Sequence, residues 1–319
     1  MVYTALAIVV IVGGTAAGTV YVKAQAHSGA SPVSSSGTAS ASASTTADGE
    51  ESVEPVAQPA VDYDALLAKA MKSVGVEDST DVAVSVLDLD SGKSASYGDG
   101  AFDTASIVKV DILATLLLQA QDADRQLTAS EKSYATAMIE NSDNESASAL
   151  WRIIGKADGL GAANERLGLK DTEGGDGMLW GLTQTTAADQ LTLLQQVFGD
   201  DSELSTSSQT YLQGLMGQIT ADQQWGVSAV ADGSGWALKN GWLARSTTGL
   251  WDINSIGRVT VDGHDYLVAT LSNGNSTKVK GVSLVETAAK AAVSALAGNT
   301  SASTASVSAS ASASASASE

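Results

Sequence analysis

The chain has 319 residues, 44% of them hydrophobic, with 36 acids against 17 Lys and Arg and no cysteine. A net charge of −19 excludes a nucleic-acid binder, because phosphate recognition needs clustered Lys and Arg. The missing thiols exclude disulfides, thiolate catalysis and thiolate-held zinc. Of the two histidines, His27 lies in a low-complexity stretch and His264 in the tight turn Asp262-Gly263-His264-Asp265. That leaves no histidine-rich metal site and a poor base for a Ser-His-Asp triad. No metal or cofactor is expected, and a serine hydrolase built from this chain would take its base from a lysine or a carboxylate.

Residues 2–22 form a nearly uncharged run of Ala, Val, Ile, Gly and Thr, long enough to cross a bilayer. Lys23 follows, then Ala24-Gln25-Ala26, a small-x-small pattern of the kind signal peptidase cuts. Residues 1–26 are therefore expected to be a signal peptide or signal anchor, although the usual basic region is missing. The remainder is expected to be exported, extracellular or at the cell surface, and to meet the membrane only through this segment. Residues 27–60 are Ser, Ala, Thr, Gly and Pro with a few acids. They cannot bury enough apolar area to offset the entropy of ordering, and read as a disordered spacer. The folded domain is expected over 61–297, and the Ser-Ala tail of 298–319 is expected to be unstructured.

Within the domain, Leu66, Leu67, Ala70, Met71 and Val74 recur at helical spacing, predicting a helix over 63–74. The stretch 81–90 alternates at period two and turns at Asp90-Ser91-Gly92 into 93–97, predicting a hairpin. An apolar run over 107–118 is too hydrophobic all round for a surface helix. Asp103 or Thr104 is expected to cap its first turn. Residues 128–198 read as helical, most clearly over 142–154 and 186–197, with the Gly-rich loop 171–180 between those two pieces. A helix over 205–216 precedes strands at 236–239, 250–254, 257–261 and 266–271. Asp262-Gly263 joins the last two as a hairpin, and a helix over 282–296 closes the domain. The fold class is α+β: an antiparallel sheet flanked by helices, its strands supplied by both ends of the domain, with an all-helical subdomain inserted between them.

Ser106 and Lys109 lie three apart, so on a helix they share a face. A serine at a helix head sits on the positive end of the dipole, and an amine one turn away can take its proton. That is the minimal layout of a Ser-Lys nucleophile. Ser142-Asp143-Asn144 opens a later helical stretch, and Lys239-Asn240-Gly241 ends a strand. Each is unremarkable alone, since Ser, Asp and Asn are ordinary caps.

Together, in this order, Ser106-Ile107-Val108-Lys109, Ser142-Asp143-Asn144 and Lys239-Asn240-Gly241 resemble the S-x-x-K, S-D-N and K-T-G set of class A β-lactamases and penicillin-binding proteins. The resemblance covers about residues 62–296 and implies the β-lactamase/transpeptidase-like fold. It implies that Ser106, Lys109 and Ser142 are catalytic: Ser106 is acylated, Lys109 takes or relays its proton, and Ser142 protonates the leaving nitrogen. It implies that Asn144, Lys239, Asn240, Gly241 and Trp242 bind substrate. Lys239 would draw the substrate carboxylate, and the Ser106 and Trp242 amides would form the oxyanion hole. Two neighbouring ammoniums, Lys109 and Lys239, would favour a neutral Lys109.

The chain departs from the family pattern twice. Asn240 replaces the usual Thr, and is expected still to donate a hydrogen bond to the substrate. The loop 171–180 lacks the Glu-x-x-Leu-Asn pattern whose Glu activates the deacylating water. Glu173 and Asp176 are its candidate replacements, and both read more readily as solvated loop acids. Expected is a monomeric, exported serine hydrolase that β-lactams or peptidoglycan-like amides acylate and that deacylates slowly. The alternatives are a penicillin-binding D-Ala-D-Ala peptidase-like enzyme, or a non-catalytic cell-surface binding module on the same fold.

Overall fold

The computed structural model describes residues 61–315, with side chains described as far as 298. The expected signal segment and the whole of the expected spacer lie outside the described residues. Among the described residues no helix is long and apolar enough to cross a membrane.

Helix α1 (Tyr63–Met71) is capped by Asp62, whose carboxylate accepts from the Ala65 amide at 2.9 Å. Strands β1 (Asp81–Asp88) and β2 (Ser94–Tyr97) form the expected hairpin. A two-residue strand β3 (Phe102–Asp103) and a 3-10 turn (Ala105–Ile107) lead into α2 (Val108–Asp122). The helical block continues through α3 (Ala129–Glu140), α4 (Asn144–Ile153) and α5 (Lys156–Leu167). The short strand β4 (Gln184–Thr185), α6 (Ala187–Phe198) and α7 (Thr206–Met216) complete it. Strands β5 (Trp236–Ala244), β6 (Trp251–Val261) and β7 (His264–Asn275) follow, then α8 (Lys278–Ala315). Thr128, Asp143, Thr186 and Ser205 each accept an amide in the first turn of the helix they precede, the satisfied N-cap that such residues provide.

The main sheet is antiparallel in the order β2-β1-β7-β6-β5. Early and late strands therefore pair at β1–β7, and the helical block enters from the chain between them, as the sequence predicts. Alternation along the strands splits the core into two layers. Val84, Val86, Leu238, Val259 and Val268 face α1 and α8. Ala83, Ala237, Ile256, Leu267 and Ala269 face the helical block. Every residue of α2 from Val108 to Leu118 is buried, which accounts for its all-round hydrophobicity.

Four local expectations change. Asp103 and Thr104 do not cap α2: Asp103 belongs to β3, and the Thr104 hydroxyl makes no cap hydrogen bond. The Thr104 amide is instead tied to Thr183 O at 2.9 Å, and Ala105, at φ +47°, reverses the chain into the helix. Ser142 precedes α4 rather than starting it, at φ +56°, and Asp143 is the cap. The two strands expected at 250–254 and 257–261 are one continuous β6. The polar Asn254-Ser255 pair reads as a break, yet it is buried and satisfied. Asn254 Nδ2 donates to the Asp103 and Thr104 carbonyls, and Ser255 Oγ accepts from the Val227 amide. Finally, α8 runs on to Ala315 through a tail expected to be unstructured. Alanine is the best helix former, and extending a packed helix avoids the nucleation cost.

Candidate active site

Ser106 sits in the 3-10 turn between β3 and α2, held from two sides. On the sheet side, a Cβ at Gly241 would lie 2.6 Å from Thr104 O and 2.9 Å from Ser106 N, so only glycine lets β5 pass this close to the turn. Asn254 grips the Asp103 and Thr104 carbonyls at 2.8 and 3.1 Å. Asp103 in turn accepts from Arg245 and from Gln184. On the helical side, the 3-10 turn Trp180–Leu182 packs against Ala105 through Gly181. Among the described residues Ser106 Oγ has no hydrogen-bond partner, and the residue is half-buried.

Lys109, one turn on, is fully buried (0% exposed). Its Nζ donates to Ser142 O at 2.7 Å, Ser142 Oγ at 3.0 Å and Asn144 Oδ1 at 2.8 Å. The left-handed backbone at Ser142 turns both of that residue's oxygens to the amine, and the α4 N-terminus supplies Asn144. The ring of Trp180 lies over the same amine, its centroid 5.0 Å away. Burial pushes the Lys109 amine down to about 7, against the opposing pull of the Asp143 carboxylate. The expectation that Lys239 would set this shift is thus corrected, since loss of water dominates at Lys109. The like-charge effect bears on Lys239, which lies well below the ordinary lysine range through burial first and Lys109 second.

Lys239 is also fully buried, yet its contacts are long: Gln223 Oε1 at 3.5 Å and Asn240 O at 3.3 Å. Asn240 departs from expectation. Its Nδ2 is spent on Gln223 O at 2.7 Å and Trp225 O at 2.9 Å, and its Oδ1 is buried without a partner. Both donors point into the Gln223–Trp225 loop, leaving none for a substrate. Trp242 is half-buried, 6.0 Å from the Trp225 ring centroid, with Lys278 Nζ 4.2 Å over its face.

Glu173 and Asp176 are both exposed. The Glu173 backbone pairs with Gln184, and its side chain borders a depression of about 640 Å³ shared with Asp99, Lys170 and Thr186. Neither Ser106 nor Lys109 borders that depression. The loop residue that reaches Lys109 is Trp180, which is absent from the expected site residues. Gln223, Asn254 and Arg245 were missed as well. A polar residue in mid-strand was the available signal for Asn254, and nothing local marked the other two. His264 stays at the β6–β7 turn, its Nδ1 3.0 Å from Asp90 Oδ2.

The family model described as "Beta-lactamase enzyme family" matches residues 124–296, more than half of the chain. The chain belongs to the β-lactamase enzyme family. The matched span holds Ser142–Asn144 and Lys239–Trp242 of this β-lactamase-family chain and begins after Ser106 and Lys109. No curated protein sequence matches it. Among solved structures it is similar to the TLA-1 extended-spectrum β-lactamase, at 17% identity and TM-score 0.64, over 73% of this chain and 98% of that one. PBP-A matches at 20% identity and TM-score 0.62, over 71% and 94%, and a PBP-A point mutant is known as an acyl-enzyme complex with penicillin G. A class A β-lactamase representative from Bacteroides cellulosilyticus DSM 14838 matches at 16% identity and TM-score 0.62, over 73% and 96%. At these identities the likeness is one of fold: helices on an antiparallel sheet, the β-lactamase/transpeptidase architecture.

Proposed function

We propose that the chain is an active-site-serine hydrolase whose Ser106 attacks the carbonyl carbon of a β-lactam or a related amide and becomes acylated. The observation that carries this reading is the buried Lys109 amine, one turn from Ser106 and within 3.0 Å of Ser142 Oγ and Asn144 Oδ1. As an ammonium it fills all three donors. As a neutral amine it keeps two and turns a lone pair to a hydroxyl, and a value of about 7 makes that form accessible near neutrality. The Ser106 Oγ–carbon bond then forms as the hydroxyl proton passes to Lys109. The carbon–nitrogen bond breaks as Ser142 gives its proton to the leaving nitrogen and recovers one from Lys109. The Ser106 and Trp242 amides stabilise the oxyanion, each such donor being worth about 3 kcal/mol. Lys239 receives the substrate carboxylate, whose charge compensates the buried ammonium.

Hydrolysis of the acyl-enzyme needs a water and a base. The loop acids Glu173 and Asp176 are exposed, and Trp180 is the loop residue over Lys109. That supports slow deacylation, and so favours a penicillin-binding peptidase acting on peptidoglycan-like amides over a fast β-lactamase. The test is intact mass after incubation with benzylpenicillin. A long-lived adduct on wild type, lost in Ser106→Ala, is expected. A folded wild type with no adduct and no nitrocefin turnover would leave the non-catalytic surface module, and rapid steady-state nitrocefin turnover would overturn slow deacylation. Export through residues 1–26 is part of the proposal, supported by the apolar run and the Ala24-Gln25-Ala26 pattern. N-terminal sequencing of the protein recovered outside the cell checks it.

A further inference from the structure

Residues 171–183 form a compact loop tied to its surroundings at several points. Gly175 N donates to Thr183 Oγ1 at 3.1 Å, and Trp151 Nε1 donates to Gly177 O at 2.9 Å. A Cβ at Gly174 would lie 2.8 Å from the Cα of Ala157, so the loop lies flat on α5. Trp180 is held by its own Nε1, which donates to Ser148 Oγ at 3.1 Å. Helix α4 organises all of this from one face. Asn144, Ser148 and Trp151 stand at i, i+4 and i+7, a single stripe of a helix. Asn144 bonds Lys109, Ser148 bonds the ring over Lys109, and Trp151 bonds the loop that carries the ring.

We propose that Trp180 is a positioning residue for this site: held by Ser148, its indole roofs the Lys109 amine, keeps water from it, and thereby both maintains Lys109 as a base and protects the acyl-enzyme from hydrolysis. The proposal rests on the Ser106–Lys109 acylation reading and deepens it. Two effects of the ring oppose each other. Its π-face attracts a cation and favours the ammonium, whereas its bulk excludes water and favours the neutral amine. The amine lies at about 7 instead of 10.5, with burial as the leading cause, and the ring 5.0 Å away is part of what buries it. A roof requires that removing the ring move the base upward, whereas loss of a simple cation–π contact moves it down, so the sign of the movement separates the two.

The experiment measures Ser106 acylation by a fluorescent penicillin as a function of pH, and adduct lifetime by intact mass, in wild type, Trp180→Ala and Trp180→Phe. Wild type is expected to gain rate with pH through about 7. In Trp180→Ala the inflection moves up by about one pH unit, which lowers acylation at pH 7 about fivefold, and adduct lifetime falls several-fold. Trp180→Phe keeps the apolar roof and loses only the Ser148 bond, so it is expected to restore most of the wild-type profile. Thermal melts confirm that each variant is folded, and Trp180→Val, which also removes the ring but keeps an apolar side chain, carries the test should Trp180→Ala fail to fold. A wild type that is never acylated overturns the hydrolase reading itself. A wild type that is acylated normally, with an unchanged or lowered inflection in a folded variant that lacks the ring, overturns the roof alone.

Discussion

The two sides of the site handle a buried lysine differently. On the helical side Lys109 has three close acceptors and an aromatic roof, so its position is fixed before any substrate arrives. On the sheet side Lys239 is equally buried but has only two contacts, both longer than 3.2 Å. A buried cation without strong partners is costly, so Lys239 is poised to gain from an incoming anion. In the proposed reaction the contrast separates a preorganised proton carrier from an under-satisfied anchor, although both side chains are lysines without surface exposure.

The sharpest way to break that comparison is to remove each amine in turn. Lys109→Ala is expected to lower acylation by roughly 10²–10⁴-fold, the usual worth of a positioned base, with any carboxylate-bearing or neutral substrate, as read by stopped-flow acylation. Next in size is a stability effect on the helical side. Asp111, buried in α2 beside Asn164, is raised by burial to about 7. An acid whose folded value is raised loses stability as pH climbs from its unfolded value to its folded one. Wild type therefore loses stability between about pH 4 and pH 7, whereas Asp111→Asn does not. Urea unfolding is expected to find the variant similar at pH 4 and on the order of 2–4 kcal/mol more stable at pH 7 and above; equal curves would show that the carboxyl stays hydrated.

Lys239→Ala is expected to cost about 10- to 100-fold in acylation efficiency with a carboxylate-bearing penicillin, a buried charged contact being worth about 1.5–3 kcal/mol. The corresponding ester should lose much less. pH sharpens this further. Lys109 must be neutral, so efficiency rises with pH through about 7, whereas Lys239 must be charged, so carboxylate binding weakens as pH rises. The profile should be bell-shaped for the acid and lose its falling limb for the ester. The smallest expected effect is Asn240→Ala. With its donors committed to Gln223 O and Trp225 O, it should cost about 1–3 kcal/mol of stability in urea by leaving those carbonyls unpaired. A purely catalytic loss at unchanged stability would return Asn240 to the substrate side.

Much of this is legible in the sequence. Periodicity marked α1, α2, the β1–β2 hairpin and α6 within a few residues, because an apolar stripe or alternation directly reflects burial on one face. The three short motifs picked out Ser106, Lys109, Ser142 and Lys239. Strand limits in 236–261 were read less well. The polar residues that seemed to end strands, Asn254 and Ser255, are satisfied by partners about 150 and 28 positions away along the chain, and no local pattern encodes such a partner. Asn240 was misread for the same reason: its residue type announces a donor, but only the fold says which way the donor points.

What the amino-acid order determined alone, then, is composition, the rhythm of burial and the inventory of reactive groups: one serine–lysine pair, a second lysine, no thiol and no usable histidine. What the tertiary structure decided is the environment of those groups. It set which amine is desolvated, which has its donors filled, and that a tryptophan rather than a carboxylate stands over Lys109. Reactivity depends on dielectric and on contacts between distant segments, and those exist only once the chain has folded.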